Sequence, residues 1–380
     1  MNSKNMRSSN FELCRIVAML MIISFHIILH WPFYQLQDAG SITRLNNGYF
    51  SHPEFYKKLW IIDTFMLMGY IGNGLFMMIS GYFMASKENI NLLKTSKKLL
   101  FQLAFATELL MIASTIIYYF LNQKTNRYIG LVEQSAFNKD WWFIGYYFSV
   151  IVVAALFLNK VLIKFDKRKY LTFLFTLFAI TQFSWSGSVL DSLASGIRTL
   201  GIGIFLYALG GYIHKYNPFG NVRTYVFFLV ILVTNILNYL SAYNGTKLNI
   251  ENYIRDGSDG IYKQGVYWPN DLDIRVVIIV IAMFEIFNRI HIPNNRVVNF
   301  LGAATFMTYL LHENTFFQSL YNVKDCITLL YYHPFLFVLK VIQWVFIAFS
   351  VGVIGYSLYL GCIHLLKKSK PLFLKSNNKM

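Results

Sequence analysis

Three titratable residues lie within one apolar stretch near the N-terminus: Glu12, Arg15 and His26. Charged side chains in such a stretch are costly to bury, and they usually carry function or pair with one another. In a helix the step from Arg15 to His26 is almost three turns, so both project from one face, about 16 Å apart. Glu12 lies one turn before Arg15 and is placed to pair with it.

Two interpretations of this stretch remain open from the residues alone. In the first, Arg15 binds an anion and the imidazole of His26, which titrates near neutral pH, transfers protons. In the second, Glu12 and Arg15 form an interfacial pair and His26 is a polar contact between helices. Both interpretations require a helix that places His26 well inside the bilayer.

Further candidates lie in later apolar stretches. Glu108 is an intramembrane acid that could hold Arg15 or a base in place. His312 is followed by Glu313, and the two form either a catalytic dyad or a pair at a helix end. Ser80 lies in the small-residue segment GYIGNGLFMMISGYF, whose glycines also suit close helix packing.

Candidate ligand-binding residues flank the apolar stretches. Lys94, Lys97 and Lys98 form a basic group that could hold phosphates, and Trp142 is the second residue of an aromatic segment, WWFIGYYF. Tyr267 and Trp268 lie in a long polar segment, residues 244–273, predicted to be an outer loop; they could stack on sugar faces or belong to an interfacial belt. Cysteine spacing predicts no metal site.

These residues have to be positioned by membrane helices. The 380-residue chain is 56% hydrophobic and 14% charged, whereas soluble proteins carry about 25% charged residues. A bilayer core needs about 20 apolar residues per helix, and no stretch shows the period-2 alternation of a barrel strand. We predict an all-α polytopic protein with about ten transmembrane helices, at residues 11–32, 59–84, 98–121, 141–163, 170–186, 198–214, 222–243, 274–290, 297–317 and 335–364.

Basic residues predict the orientation of this bundle. With the N-terminus in the cytoplasm, most of the 34 Lys and Arg residues fall on the cytoplasmic side, as the positive-inside rule requires. We therefore predict a short cytoplasmic tail at 1–10, a membrane domain at 11–364 and a basic cytoplasmic tail at 365–380. The formal charge of +16 suits the anionic bilayer surface and also a polyanionic ligand such as CoA. No nucleic-acid partner is expected, because no soluble domain is present to read a groove.

Four segments in this order resemble the acyltransferase-3 family of integral membrane acyltransferases. They are RIVAMLMIISFH (Arg15–His26), GLFMMISGYF (Gly74–Phe83), WWFIGYYF (Trp141–Phe148) and TFMTYLLH (Thr305–His312). The SGYF and YLLHEN phrases resemble most closely the subgroup found with capsule, O-antigen and exopolysaccharide genes. Many members carry an Arg-x-x-Arg pair where this chain has Lys94, Lys97 and Lys98, and lysine binds phosphate without bidentate geometry.

The resemblance implies an O-acetyltransferase of the bacterial cytoplasmic membrane. It would move acetyl from cytoplasmic acetyl-CoA, a cosubstrate rather than a bound cofactor, to a hydroxyl of a polysaccharide or lipid-linked glycan. It makes His26 the catalytic base or acyl relay and Arg15 its partner or a CoA ligand. Catalytic roles for Glu108 and His312, CoA binding by the three lysines, and substrate binding by Ser80, Trp142, Tyr267 and Trp268 are the accompanying expectations.

Other functions compete with this one. A glycan or lipid-linked-sugar transporter or flippase would use intramembrane acids and a histidine as a proton pathway, although no internal repeat is evident. A membrane polymerase or glycosyltransferase would suit the long outer loop, although no paired-carboxylate metal motif supports it. A scaffold without catalysis would leave Arg15 and His26 unexplained.

Overall fold

The computed structural model describes residues 8–33, 35, 56–121, 141–182, 191–256, 273–314, 317–318 and 325–376, and within these ranges the regular structure is entirely helical. The α-helices are α1 Ser9–Ile28, α2 Tyr56–Met84, α3 Leu92–Leu121, α4 Trp142–Val153, α5 Asn159–Lys164, α6 Lys167–Gln182, α7 Asp191–Tyr216, α8 Thr224–Asp256, α9 Ile274–Arg289, α10 Arg296–His312, α11 Cys326–Tyr332 and α12 Pro334–Ser376. Short π-helical turns follow α1 at Leu29–Phe33 and α4 at Ala154–Leu158.

Five helical stretches in the described ranges are long and apolar enough to cross a membrane, as judged by length and composition. They are Ser9–Pro32, Lys58–Met84, Trp142–Lys164, Thr224–Gly245 and Pro334–Lys368. The all-α membrane protein expected from the sequence is therefore confirmed. The other five predicted spans lie largely on α3, α6, α7, α9 and α10. That these five cross the membrane, and that both termini are cytoplasmic, stay predictions.

The predicted outer loop at 244–273 is shorter than expected. Helix α8 does not end near residue 243 but continues to Asp256, so the first part of that loop is helical. Hydropathy misses this extension because the added turns are polar, and a helix that leaves the bilayer needs no apolar stretch. Tyr267 and Trp268 lie outside the described residues.

Short turns join helices α5 to α6 and α7 to α8. The backbone N–H of Lys169 donates to the Asp166 carboxylate at 2.8 Å, which caps α6 and holds the pKa of that carboxyl below its ordinary value. The Lys215 ammonium donates to the carbonyl oxygens of Ile163 at 2.9 Å and Phe165 at 2.7 Å. A cation on carbonyls at the end of α5 complements the helix dipole and ties the two turns together.

Helix α2 packs on α7 at a point where backbone meets backbone. The carbonyl of Tyr207 occupies the position that a Cβ at Gly81 would take. The small residues of the SGYF segment therefore permit the close helix contact that the sequence indicated. The Tyr207 side chain is fully buried and donates its hydroxyl hydrogen to Asn159 Oδ1 at 3.1 Å.

Replacing Gly81 by alanine is expected to destabilise the α2–α7 contact. The added methyl overlaps a backbone carbonyl that cannot move without shifting a helix, and overpacking of this kind costs about 1–3 kcal/mol. Thermal unfolding in detergent measures the effect. Gly361→Ala is the matched control, because a Cβ there meets nothing within 4 Å. Equal unfolding temperatures for the two variants would contradict the tight crossing.

Helices α1 and α10 run in the same direction and touch at both ends. Near their first turns, Ser9 Oγ donates to Asn299 Oδ1 at 2.9 Å. Near their last turns, His26 Nδ1 lies 2.9 Å from His312 Nε2. Both helices are well buried along this contact, so polar groups at each end of the pair are shielded from lipid.

Candidate active site

His26 is buried, 5% exposed, in the last turn of α1, where two polar side chains from the end of α10 meet it. Its Nδ1 atom lies 2.9 Å from His312 Nε2 and 2.9 Å from Glu313 Oε2. His26 and His312 are 286 residues apart in the chain. The candidate site is therefore a contact between two helices, at the end of the bundle away from Arg15.

The hydrogen bonds of His312 determine the tautomer of His26. His312 Nδ1 lies 2.8 Å from the carbonyl oxygen of Thr308, which can only accept, so this nitrogen carries the proton. The Nε2 of neutral His312 is then an acceptor, and the proton of its contact with His26 belongs to His26 Nδ1. His26 Nε2 is left with a lone pair and, among the described residues, with no hydrogen-bond partner.

Glu313 is buried at 3% exposure and follows the last residue of α10. Its Oε1 lies 3.3 Å from His30 Nε2, in the π-helical turn after α1, and Gln318 Nε2 lies 3.1 Å from the same nitrogen. Asn314 fixes the chain as it leaves the helix, because its Oδ1 accepts the backbone N–H of Phe317 at 2.8 Å. The end of α10 therefore places the Glu313 carboxylate beside both His26 and His30.

This geometry suits general-base chemistry. A carboxylate beside the Nδ1–H of a histidine orients the ring and stabilises the imidazolium that forms when Nε2 takes a proton. A buried carboxylate does so more strongly than an exposed one, because little water screens it. His26 Nε2 can therefore accept a proton from a substrate hydroxyl, with Glu313 and His312 holding the ring.

Arg15 occupies a separate position near the start of α1. Its Nη1 donates to Glu12 Oε1 at 2.5 Å, which confirms the pair predicted from their spacing. Glu12 is buried, whereas the Arg15 side chain is 29% exposed and can receive an anion. Gly302 of α10 makes room for this pair, since a Cβ there would overlap the Glu12 carboxylate. Arg15 and His26 are on one helix, but the structure does not bring them together.

Four of the other predicted site residues, all on α3, are exposed. Glu108 was expected to hold Arg15 or a base, but it is exposed on the outer face of α3, and Glu12 and Glu313 occupy those positions instead. Lys94, Lys97 and Lys98 are exposed in the first turns of α3.

Among the described residues, Ser80 and Trp142 make no hydrogen bond or ring contact with His26 or His312. The hydroxyl of Ser80 donates to the Phe76 carbonyl at 2.9 Å, a bond within its own helix. Trp142 is 47% exposed, and its ring centroid lies 5.8 Å from that of Tyr146. Its neighbour Trp141 donates through Nε1 to the Leu310 carbonyl at 3.1 Å and anchors α4 to the end of α10.

A cleft with polar and apolar lining lies between α2 and α8, and the sequence did not predict it. Its lining combines a buried acid, two amides, a hydroxyl and two aromatic rings: Trp60, Asp63, Thr64, Leu67, Asn235, Asn238, Tyr239 and Ala242. The Trp60 and Tyr239 rings are perpendicular, with centroids 5.3 Å apart. Asp63 is a titratable residue inside a predicted span, the type of feature that identified Glu12 and Arg15, and it could have been found in the same way.

Membrane-crossing helices around a buried imidazole–carboxylate group define a membrane protein with a candidate proton-transfer site. A comparison with protein families identifies the chemistry more closely, because the acyltransferase-3 profile, described as an acyltransferase domain, matches residues 8–366. The protein therefore belongs to the acyltransferase-3 family and is a membrane acyltransferase. No curated protein and no solved structure matches the chain.

Proposed function

We propose that the protein transfers an acetyl group from cytoplasmic acetyl-CoA to a hydroxyl of a polysaccharide or lipid-linked glycan in the bacterial cytoplasmic membrane. The observation that carries the proposal is the contact of buried His26 with Glu313: Nδ1 lies 2.9 Å from the carboxylate, and Nε2 has no hydrogen-bond partner among the described residues. The SGYF and YLLHEN phrases, which resemble the subgroup found with capsule, O-antigen and exopolysaccharide genes, support the glycan acceptor.

The proposed reaction is a direct acyl transfer. His26 Nε2 takes the proton of a sugar hydroxyl as its oxygen attacks the thioester carbonyl carbon. The new C–O bond forms, the C–S bond breaks, and the imidazolium returns its proton to the departing CoA thiolate. A well-placed base contributes about 10²–10⁴-fold to such a step.

The donor is proposed to bind at the basic end of the bundle. Arg15 presents a partly exposed guanidinium there, and a guanidinium matches phosphate geometry bidentately. Lys94, Lys97 and Lys98 at the start of α3 add point charges for the remaining phosphates of CoA. The acyl end of the donor then has to reach His26 at the other end of α1.

The cleft between α2 and α8 is proposed as an acceptor subsite. Antiparallel packing of α2 on α1, with Gly69 against Phe25, places the first turns of α2 at the His26 end of the bundle. The Asn238 amide nitrogen is buried in the cleft wall with no hydrogen-bond partner among the described residues. A sugar offers hydroxyl oxygens to such a donor and an apolar face to Trp60 or Tyr239.

Asn238→Ala is expected to raise KM for the glycan acceptor by roughly tenfold, the effect of one lost hydrogen bond to a buried donor. KM for acetyl-CoA and kcat should stay close to wild type, because the cleft contains neither the proposed acetyl-CoA site nor the catalytic base His26. Asn235→Ala is the matched comparison on the same helix. The Asn235 amide already donates to the Ile231 carbonyl at 2.8 Å, so its loss should matter less. Equal effects of the two substitutions would remove the cleft from acceptor binding.

The function is tested with labelled acetyl-CoA and membranes that contain the protein together with the native glycan. We expect release of free CoA and acid-stable, alkali-labile label in the glycan, as an O-acetyl ester gives. Membranes from cells without the protein are the control. Absence of acetyl transfer above that control would contradict the donor and acceptor proposed, and glycan transport across vesicles would be measured next.

A further inference from the structure

Three potential metal ligands converge between α1 and α10. His26 Nδ1 lies 2.9 Å from His312 Nε2 and 2.9 Å from Glu313 Oε2, and the last two atoms are 3.9 Å apart. A point about 2.0 Å from each atom lies almost on the line between His312 Nε2 and Glu313 Oε2, so a tetrahedral ion requires side-chain shifts of roughly 0.5 Å. Zinc–nitrogen and zinc–oxygen bonds are about 2.0–2.2 Å long.

The chemistry of the three residues suits the same ion. Two imidazoles and one carboxylate are a zinc ligand set that leaves a fourth position open. His312 donates its other ring N–H to the Thr308 carbonyl at 2.8 Å, the support that orients metal-bound histidines in proteins. All three residues are at most 5% exposed, so the ligand atoms are already desolvated.

We propose that His26, His312 and Glu313 bind a divalent transition-metal ion such as Zn²⁺, and that the bound ion inhibits acyl transfer. The ion replaces the proton on His26 Nδ1, and that proton moves to Nε2 as the ring changes tautomer. Charge and atoms balance, with one cation bound and no proton lost from the ring. The lone pair of Nε2 is then gone, so no base faces the substrate.

The inhibitory half of this inference rests on the proposed function, whereas metal binding does not. Glu313 contributes a negative charge that neutralises part of the charge of the ion. His30, whose Nε2 is 3.3 Å from Glu313 Oε1, lies beside the site and can supply or orient the fourth ligand. The rate of acyl transfer would then depend on the local concentration of zinc.

Cobalt(II) chloride is the probe, because tetrahedral Co²⁺ bound to nitrogen and oxygen absorbs visible light. The purified, chelator-treated protein is titrated with it in detergent. We expect one equivalent with a tetrahedral spectrum, displaced by zinc chloride. His312→Leu should abolish this spectrum, and Glu313→Gln should weaken binding at least about tenfold. His333→Gln should change nothing, because His333 is exposed and outside the cluster.

Thermal unfolding distinguishes lost binding from lost folding. Zinc should raise the unfolding temperature of the wild type and not that of folded Glu313→Gln.

In the acetyl-transfer assay zinc should inhibit the wild type, and a chelator should restore the rate. Octahedral spectra, or a titration that His312→Leu and Glu313→Gln leave unchanged, would overturn the metal site. If transfer is found without a cobalt site, this inference fails alone. If cobalt binds and no transfer occurs, the proposed function fails together with the inhibitory half, and the metal site stands.

Discussion

Replacing His26 by glutamine is expected to lower kcat for acetyl transfer by about 10²–10⁴-fold, the contribution of a general base. Glutamine is similar in length and can still make a polar contact with Glu313 and His312, so the helix contact is preserved. It offers no basic nitrogen to a sugar hydroxyl. The rate of free CoA release in the presence of glycan, at matched protein level in membranes, measures the effect.

His333→Gln is the control for this substitution, because it exchanges an exposed histidine for the same residue and should leave kcat unchanged. The unfolding temperature of His26→Gln should stay near that of wild type. A His26→Gln protein with full activity would show that His26 is a polar contact between helices, the second of the two interpretations that the sequence allows.

Glu313→Gln is expected to reduce kcat by about 10²–10⁴-fold while KM for acetyl-CoA stays unchanged. The Glu313 carboxylate can only accept hydrogen bonds, so it favours the same tautomer of His26 as His312 does, with the proton on Nδ1. An amide can donate to Nδ1 instead and therefore weakens that preference. The substitution also removes the charge that stabilises the imidazolium.

Glu313→Asp separates these two contributions. It keeps the charge and shortens the side chain by one methylene, so its kcat should fall between those of wild type and Glu313→Gln. Glu88→Gln, at an exposed residue between α2 and α3, is the charge-matched control. A large rise in KM for acetyl-CoA with normal kcat would place Glu313 in donor binding rather than beside the base.

Periodicity and composition predicted the helical fold and the interactions within one helix. Glu12 and Arg15 are three residues apart on α1, so their pairing follows from helix geometry alone. The contact of His26 with Glu313 could not be predicted in this way. It depends on which helices are neighbours and how each is rotated, and neither property is encoded in the hydropathy of a single segment.

Glu108 illustrates the same limit. A carboxylate within an apolar helix indicates a polar partner, but the sequence does not give the direction in which the side chain projects. In the structure Glu108 projects outward from α3, while Glu12 and Glu313 face inward. Asp63, in contrast, is buried although it is also a carboxylate within a predicted span, and it was not singled out from the sequence.

The parallel contact between α1 and α10 has a consequence for substrate length. Arg15 and His26 both lie on α1, so the helix rise sets their spacing, and the polar pairs Ser9 with Asn299 and His26 with His312 hold α1 against α10 at both ends. If phosphates bind at Arg15, a donor must carry its thioester about 16 Å from its charged end, the rise of the intervening turns. The site would then select donors by length. Acyl-CoA, with its long pantetheine arm, would reach the base, and short acyl phosphates would not.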